Sequence, residues 1–422
     1  MSELYETEEI KERVLLIGVD IDDGEDVIAS LNELEELADT ARAQTVGRLI
    51  QNRETIHPGT YIGKGKIEEL RELMIETEAD AVICDDELSP AQLGNLQDLL
   101  EIKVIDRTVL ILDIFAGRAS TREGKLQVEL AQLKYRSSRL IGLRSSLSRT
   151  GGTSAGMGIG SKGPGEKKLE LDRRLIKNRM TYLYRELKDV RRSREVLRKQ
   201  RSRNSNPVIA IVGYTNAGKS TLLNTLTQAK VLEEDKLFAT LDPTTRSYET
   251  ENGQKFLFTD TVGFINKLPH HLIDAFRSTL EEAKYADLIL HVVDISSPDY
   301  EKHMRVVYDT LEKLEIGDKP VLTVFNKIDK VSGQEIYKDP CSRRTVRISA
   351  KKGLGLSELL EEVSAVLNEG FVRLEKTFSY EEAGKLQQIR QYGQLQKEEY
   401  RENGIYVEAM LPREWAKGFL NE

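Results

Sequence analysis

Eight residues between two apolar segments have the types and the spacing needed to hold a phosphate chain. The run GYTNAGKS, Gly213–Ser220, matches the pattern G-x-x-x-x-G-K-[ST], with a strand-like VIAIV before it and a helix-like STLLNTLTQ after it. In this pattern backbone N–H groups wrap the β-phosphate, Lys219 reaches the β- and γ-phosphates, and the Ser220 hydroxyl ligates Mg²⁺. The predicted phosphate-binding residues are Gly213, Tyr214, Thr215, Asn216, Ala217, Gly218, Lys219, Ser220 and Thr221.

A second motif begins forty residues after Ser220, where DTVG follows the strand-like KFLFT. A carboxylate at a strand end can support the Mg²⁺ shell, and the N–H of Gly263 can contact the γ-phosphate and sense its loss. The predicted nucleotide contacts of this motif are Asp260, Thr261, Val262 and Gly263.

The segment 238–245, FATLDPTT, lies between these two motifs. We expect it to be a mobile loop that delivers one threonine to Mg²⁺ and the γ-phosphate. Position alone leaves Thr240, Thr244 and Thr245 as candidates, and two of them must make no contact with Mg²⁺ or the γ-phosphate. The predicted contacts of the loop are Phe238, Ala239, Thr240, Leu241 and Asp242.

Two further segments predict which base is bound. Asn326-Lys327-Ile328-Asp329 ends the strand-like VLTVF, and Ser349-Ala350-Lys351 follows the strand-like TVRIS. A carboxylate at Asp329 can accept hydrogen bonds from N1–H and the exocyclic amine of guanine, whereas adenine offers no such pair of donors. An unpaired buried carboxylate is costly, so discrimination by about 10³ or more is expected. The backbone N–H of Ala350 is expected to meet guanine O6, and the nucleotide is therefore predicted to be GTP.

These motifs need a parallel sheet to position them, and the chain alternates strand-like and helix-like segments over 14–118 and again over 207–368. Such alternation predicts an α/β, multidomain protein. A phosphate-loop GTPase domain with a parallel central sheet would be preceded by a small α/β domain and an antiparallel helical hairpin, and followed by a small α+β appendage. The predicted domains are 1–118 (α/β), 119–206 (basic hairpin), 207–368 (GTPase) and 369–422 (α+β).

The hairpin prediction comes from apolar residues that recur every seven positions on both sides of a glycine-rich stretch. They are Leu126, Leu133, Leu140 and Leu147, then Leu169, Ile176, Leu183, Val190 and Leu197, with Met180 and Leu187. Between Lys134 and Arg203 there are twenty-one Lys or Arg against six Asp or Glu, in a chain of net charge −8. A basic block in an acidic protein indicates a polyanionic partner, although a solvated helix face is an equal alternative.

The glycine-rich stretch itself, 151–165, contains G-x-G-x-x-G at Gly158, Gly160 and Gly163. It follows a helix-like segment and no βαβ unit surrounds it, which excludes the dinucleotide fingerprint. A flexible linker at the hairpin tip is one interpretation, and close backbone approach to folded RNA is the other. In the N-terminal region, residues 61–66, YIGKGK, form a Gly/Lys turn that opens a helix and could hold a phosphate at the helix N-terminus. They lack a complete phosphate-loop pattern, so the favoured prediction is a plain strand-to-helix turn.

Composition excludes several other classes of protein. No run approaches the length of a membrane span, and the acidic N-terminus has no apolar core for a signal peptide, so a cytoplasmic location is expected. Cys84 and Cys341 lie far apart without a histidine cluster, which indicates neither a disulfide framework nor a zinc site; both are expected to be small buried residues. We expect no DNA partner, and we expect the protein to act as a monomer.

Taken together, the chain resembles the HflX family of GTPases, which is related to Obg and Era. The resemblance rests on YIGKGKIEEL, DDELSPAQLGNLQ, VIDRTVLILDIFAGRA, TREGKLQVELAQLKY, the glycine-rich loop, GYTNAGKS, LFATLDPTTR and DTVGF. It implies that Lys219, Thr240 and Gly263 serve catalysis and that Ser220 and Thr240 ligate Mg²⁺. It further implies GTP hydrolysis stimulated by the large ribosomal subunit, whose rRNA the hairpin and glycine-rich loop would reach, and the splitting of stalled or inactive ribosomes.

Phe264 follows Gly263 where many GTPases carry a glutamine that orients the attacking water. A phenyl ring cannot make that hydrogen bond, so slow hydrolysis by the isolated protein is expected. Two alternative functions stay open at this stage: an assembly GTPase that remodels rRNA in immature subunits, and a regulatory GTP switch that acts on a protein effector.

Overall fold

The computed structural model describes residues 11–22, 24, 26–150, 164–201, 206–227, 237–250, 255–269, 282–317, 319–331, 337–369, 371–412, 416 and 418–419. Among these residues, no helix has the length and apolar composition needed to span a bilayer. The chain divides into two compact units. The first contains 1–188, 234–242 and 265–278, and the second contains 189–233, 243–264 and 279–422. The four domain boundaries stay a prediction.

The first unit begins with a parallel four-stranded sheet in the order β2-β1-β3-β4. Its strands are β1 Arg13–Asp20, β2 Gln44–Asn52, β3 Ala81–Cys84 and β4 Lys103–Asp106, and its helices are α1 Val27–Thr40, α2 Lys64–Thr77, α3 Pro90–Leu100 and α4 Arg107–Arg118. Side-chain caps begin three of the helices, since Asp26, Ser89 and Asp106 accept hydrogen bonds from first-turn N–H groups. The alternation read from the sequence is confirmed.

Two long helices follow, α5 Arg122–Thr150 and α6 Pro164–Arg201. Arg122 pairs with Glu186, and Glu129 lies 2.7 Å from Arg179. Residue numbers thus rise along α5 as they fall along α6, which makes the predicted hairpin antiparallel. Its apolar seam consists of Leu130, Leu183 and Leu187, with Leu126, Leu133 and Met180 packed beside them.

The seam differs from the predicted repeat at Leu130, which is buried although it lies outside the seven-residue series. Leu130 is four residues after Leu126, and an α-helix places residues that far apart on the same face. Of the glycine-rich segment 151–165, only Pro164 and Gly165, at the start of α6, are among the described residues.

The second unit contains a sheet whose described strands run β10-β9-β8-β5-β7-β6. These strands are β5 Val208–Gly213, β6 Thr244–Glu249, β7 Lys255–Asp260, β8 Leu288–Asp294, β9 Val321–Asn326 and β10 Arg344–Arg347. Helices α7 Lys219–Thr227, α8 Tyr300–Lys313 and α9 Leu356–Leu367 belong to the same unit.

Five of these strands are parallel, as predicted, but β6 pairs antiparallel with β7 at the sheet edge. The segment TTRSYE has no apolar run that would predict a strand, and a half-solvated edge strand needs none. Cys341 also departs from expectation: Cys84 is buried in β3, but Cys341 is exposed in the turn before β10.

The C-terminal residues form a small antiparallel sheet in the order β11-β13-β12. Its elements are β11 Phe371–Phe378, α10 Ala383–Tyr392, β12 Gln394–Arg401 and β13 Gly404–Pro412. Phe378, Ile389 and Val407 are fully buried in its core. The predicted α+β appendage is therefore confirmed.

Candidate functional site

The phosphate loop connects the end of β5 to the first turn of α7, as its motif predicts. Two of its positions require glycine. A Cβ at Gly213 would lie 2.3 Å from the Val292 carbonyl oxygen, and one at Gly218, whose φ is +93°, would lie 2.4 Å from Nδ2 of Asn326. The loop can therefore lie directly against β8 and β9 at the carboxyl ends of the parallel strands.

Lys219 begins α7 with its side chain buried, and its Nζ donates to the Tyr214 carbonyl at 2.7 Å. Burial lowers the pKa of this ammonium to about 8, against the opposing effect of Asp260 and with a small contribution from Lys327. A buried cation whose Nζ bonds a backbone carbonyl is suited to a phosphate anion, which would restore the pKa.

Asp260, the last residue of β7, accepts a hydrogen bond from the Ser220 hydroxyl at 2.7 Å. The two side chains place hard oxygen ligands together beside the phosphate loop, and Mg²⁺ prefers such ligands. Gly263 is equally constrained, because a Cβ there would lie 2.9 Å from the Thr215 Cα and 3.0 Å from Nζ of Lys219. Only a glycine brings this backbone so close to the lysine.

Phe264 is held by its backbone on both sides of the phosphate loop. Its N–H donates to the Gly213 carbonyl at 3.1 Å, and its carbonyl accepts from the Thr215 N–H at 2.7 Å. The phenyl ring is 2% exposed. The side chain thus contributes to the core and offers no hydrogen-bonding group to a water molecule.

Asn326 joins the phosphate loop to the predicted base-binding loop. Its Nδ2 donates to the Ala217 carbonyl at 2.8 Å, and its Oδ1 accepts from the Ala350 N–H at 2.9 Å. The Ala350 N–H, which the sequence analysis directs at guanine O6, is therefore bonded to Asn326 in this structure. A contact with O6 would require this N–H to share or exchange its acceptor, and its role stays a prediction.

Asp329 lies in a 3₁₀ turn, Ile328–Lys330, directly after β9. Its carboxylate accepts a hydrogen bond from the Ser349 hydroxyl at 2.6 Å, and this bond lowers its pKa. Lys327, with φ +65°, donates to the Asn216 carbonyl at 2.8 Å. The structure thus brings Asp329 and Ser349 together and ties Lys327 to the phosphate loop.

Two side chains near these motifs were missed by the sequence analysis. Asp294, the last residue of β8, lies 2.7 Å from Nζ of Lys327, and an aspartate that ends a buried strand was a signal available in the sequence. The Tyr214 ring stacks on His303 of α8 with ring centroids 3.9 Å apart. No pattern within either segment could have predicted this stacking, because the two residues are distant in sequence.

The structure brings together 213–221, 260–263, 326–329 and 349–351 within the second unit, whereas the predicted contacts 238–242 belong to the first unit. Thr240 lies in an irregular segment there. Thr244 and Thr245 are instead in β6, and the Thr245 hydroxyl is 2.9 Å from that of Thr259.

Comparison with known proteins gives three consecutive family matches. A GTP-binding GTPase N-terminal model matches 28–116, a GTP-binding GTPase Middle Region model matches 118–201, and a 50S ribosome-binding GTPase model matches 208–327. A GTPase HflX from Lacrimispora saccharolytica is 62% identical over 98% of this chain and 97% of its own length. The chain belongs to the HflX family of GTPases.

Other HflX relatives are more distant. GTPase HflX from Caldanaerobacter subterraneus is 49% identical over 94% of this chain and 91% of its own length, and that from Escherichia coli is 40% identical over 86% and 85%. The predicted family and the predicted enzyme class are confirmed: this HflX-family chain is a GTPase that hydrolyses GTP.

Proposed function

We propose that this GTPase binds the large ribosomal subunit, that the subunit stimulates GTP hydrolysis, and that the reaction separates the subunits of stalled or inactive ribosomes. The observation that carries the proposal is the 50S ribosome-binding GTPase match over 208–327, in a chain that also contains a basic hairpin. Unlike a regulatory switch with a protein effector, a ribosomal factor gives that hairpin a polyanionic partner.

For the chemistry, we assign Lys219 to the β- and γ-phosphates and the backbone N–H of Gly263 to the γ-phosphate. Ser220 and Thr240 would hold Mg²⁺, which neutralises charge on the phosphates when bound. The adjacent oxygens of Ser220 and Asp260 fit such an ion. Thr240 is assigned through the family resemblance. The position of Thr244 and Thr245 in β6 is consistent with their making no contact with Mg²⁺ or the γ-phosphate.

For the base, we assign guanine N1–H and its exocyclic amine to the carboxylate of Asp329. The Ser349 hydroxyl orients that carboxylate and keeps its pKa low, so the group is an anionic acceptor at neutral pH. Asn326, through its bonds to Ala217 and Ala350, holds the base-binding loop against the phosphate loop.

We expect slow hydrolysis in the isolated protein, because the buried ring of Phe264 cannot orient the attacking water. A group supplied by the ribosome, or another local group that the ribosome repositions, would then complete the reaction. Single-turnover hydrolysis with and without large subunits tests this point, and equal rates would refute it.

The hairpin is the proposed rRNA-binding element. Its described side chains in the first unit include seven exposed cations on α6, of which Arg179 pairs with Glu129: Lys168, Arg173, Arg174, Lys177, Arg179, Arg185 and Lys188. If each phosphate contact releases a counterion, the association constant should fall steeply with salt, with a logarithmic slope of about −0.7 to −0.9 per contact. Association that does not respond to salt would favour the protein-effector alternative.

The decisive experiment is sedimentation of the protein with 30S subunits, 50S subunits, 70S ribosomes and immature large subunits under GTP, GDP and a non-hydrolysable analogue. Binding to mature 50S subunits with the analogue, and loss of 70S particles with GTP, are expected. Preference for immature particles would favour the assembly alternative. Deletion of 151–165 is the matched variant, which should keep GTP affinity but lose ribosome splitting.

A further inference from the structure

The carboxyl edge of the N-terminal sheet is a place where a parallel sheet of this topology accepts a ligand. The chain leaves β1 toward β2 on one side, and β3 lies on the other, so the strand order reverses at β1/β3. Asp85 and Asp86 directly follow β3 at this edge. The two carboxylates give this edge acceptor oxygens, which suit a cation rather than a phosphate.

Lys267 supplies that cation from within the first unit. Its Nζ lies 2.7 Å from Asp85 Oδ2 and 2.7 Å from Asp86 Oδ1. Burial alone would lower the pKa of Lys267, but the two carboxylates outweigh burial and raise it. Ion pairs as buried as that with Asp85, which is 1% exposed, are costly to break because a charge is left behind.

The carboxylates are themselves held in place by the N-terminal domain. Asp85 accepts hydrogen bonds from the Ser30 hydroxyl and from Nη1 of Arg107, both at 2.7 Å, and Asp86 accepts from the Tyr61 hydroxyl at 2.6 Å. Hydrogen bonds from other residues therefore orient the two carboxylates that bind Lys267.

A second anchor lies at the start of the hairpin. Asp242 Oδ2 accepts from the Ser120 N–H at 2.9 Å and from the Thr121 N–H at 2.8 Å, directly before α5 begins. A Cβ at Gly124 would lie 2.4 Å from Asp242 Oδ1, so a side chain at this position would displace the carboxylate. The Thr121 hydroxyl accepts from the Gly124 N–H at 3.0 Å and so caps α5, and the Asp242 carboxylate from a distant segment holds the two residues that precede the helix.

Each anchor follows closely after a residue assigned to the γ-phosphate. Asp242 is two residues after Thr240, and Lys267 is four residues after Gly263. Fully extended chain spans at most about 3.6 Å per residue, so four residues span no more than about 14 Å. In the second of these segments, the intervening Phe264 is also bonded to the phosphate loop on both sides.

We propose that Lys267 and Asp242 are positioning residues for GTP hydrolysis, which anchor the two γ-phosphate-sensing segments to the N-terminal sheet and to the base of the hairpin. When a partner binds the hairpin and shifts it, the shift is then transmitted to Thr240 and Gly263. By reciprocity, binding of the γ-phosphate changes the affinity of the hairpin for its partner. The inference rests on the proposed function for its physiological trigger.

The kinetic test uses Lys267→Met, which keeps the aliphatic stem and removes the charge, with Lys255→Met as the matched surface control. At saturating GTP, Lys267→Met should reduce the ratio of 50S-stimulated to basal single-turnover rate about tenfold, with GTP affinity within about twofold. Asp86→Asn should reproduce the loss, and the double variant should be no worse than either single one. An unchanged ratio in Lys267→Met would overturn the proposal, whereas absence of stimulation in the wild-type protein would refute the proposed function instead.

A second test needs no ribosome. In wild-type protein, hydrogen exchange at the Ser120 and Thr121 amides, which donate to Asp242, should be slower with a GTP analogue than with GDP. Asp242→Asn should remove this difference, and far-ultraviolet circular dichroism checks that the variant is folded. Identical exchange in the two nucleotide states of the wild-type protein would overturn the proposal whatever the ribosome does.

Discussion

The buried ammonium of Lys219 predicts that nucleotide binding takes up protons under mildly alkaline conditions. With a pKa of about 8, caused by burial in the phosphate loop, about three quarters of the Lys219 side chains are neutral at pH 8.5 and about a tenth at pH 7. Phosphate oxygens stabilise the charged form and raise this pKa, so the bound state is fully protonated at both pH values.

The magnitude follows from these fractions. On GTP binding, Lys219 should take up about 0.75 proton at pH 8.5 and about 0.1 proton at pH 7. The affinity for GTP should therefore fall about fourfold as the pH rises from 7 to 8.5. The affinity falls and does not rise with pH because the pKa of Lys219 is higher in the bound state. The favourable contribution of its charge to GTP binding is complete below the pKa of the nucleotide-free protein and decreases above it.

Isothermal titration calorimetry at pH 8.5, in buffers of different ionisation enthalpy, measures the proton uptake directly. The phosphates of GTP are fully ionised at this pH and contribute little. Lys219→Arg is the matched variant, because its guanidinium stays charged and its proton uptake should approach zero even where its affinity is lower. Uptake near zero in the wild-type protein would refute the reasoning about burial.

Three further predictions concern the second unit. Asp329→Asn should weaken GTP binding and favour xanthosine triphosphate, because the amide reverses one hydrogen-bonding partner; competition titration with both nucleotides decides this, and unchanged GTP affinity would contradict the base assignment. Asn326→Ala removes two buried hydrogen bonds, so GTP affinity should fall about thirtyfold or more, as about 2 kcal/mol implies; a dissociation constant within threefold of wild type in a fluorescence titration would count against it. Burial lowers the pKa of His291 from 6.5 to about 4, so the free energy of unfolding should fall by about 1 kcal/mol as pH drops from 7 to 5.5, and urea unfolding of His291→Gln should lack that part of the pH slope.

Much of the fold follows from local patterns. Continuous apolar runs predict β5, β8 and β9 because both faces of a central parallel strand are buried. The seven-residue repeat predicts the hairpin, and residues 61–66 lead into α2 as expected, with the Gly63 N–H bonded to Gln51 Oε1 at 2.8 Å. The preceding strand, β2, ends at Asn52, so these residues do not follow it directly. The edge strand β6 has no comparable signal, since its pairing with β7 depends on the neighbouring strand and not on its own composition.

In the candidate site, too, some contacts follow from local motifs and others depend on the folded chain. Motif spacing predicts that Lys219, Ser220 and Asp260 meet at one sheet edge, and the structure places them together. The Ala350 N–H shows the limit of this reasoning, because its bond to Asn326 joins two loops that are distant in the sequence. A motif specifies which groups converge but not which partner each group finds in the folded chain.

By itself, the sequence determines the family, the GTPase activity and the order of the elements, because these depend on residue types at fixed short spacings. Only the tertiary structure decides that 237–242 and 265–269 belong with the N-terminal sheet and the hairpin. The bonds of Asp242 to Ser120 and Thr121, and of Lys267 to Asp85 and Asp86, link residues more than a hundred positions apart. No local periodicity encodes such contacts, since they form only when the folded chain brings opposite charges and a helix N-terminus within hydrogen-bonding distance.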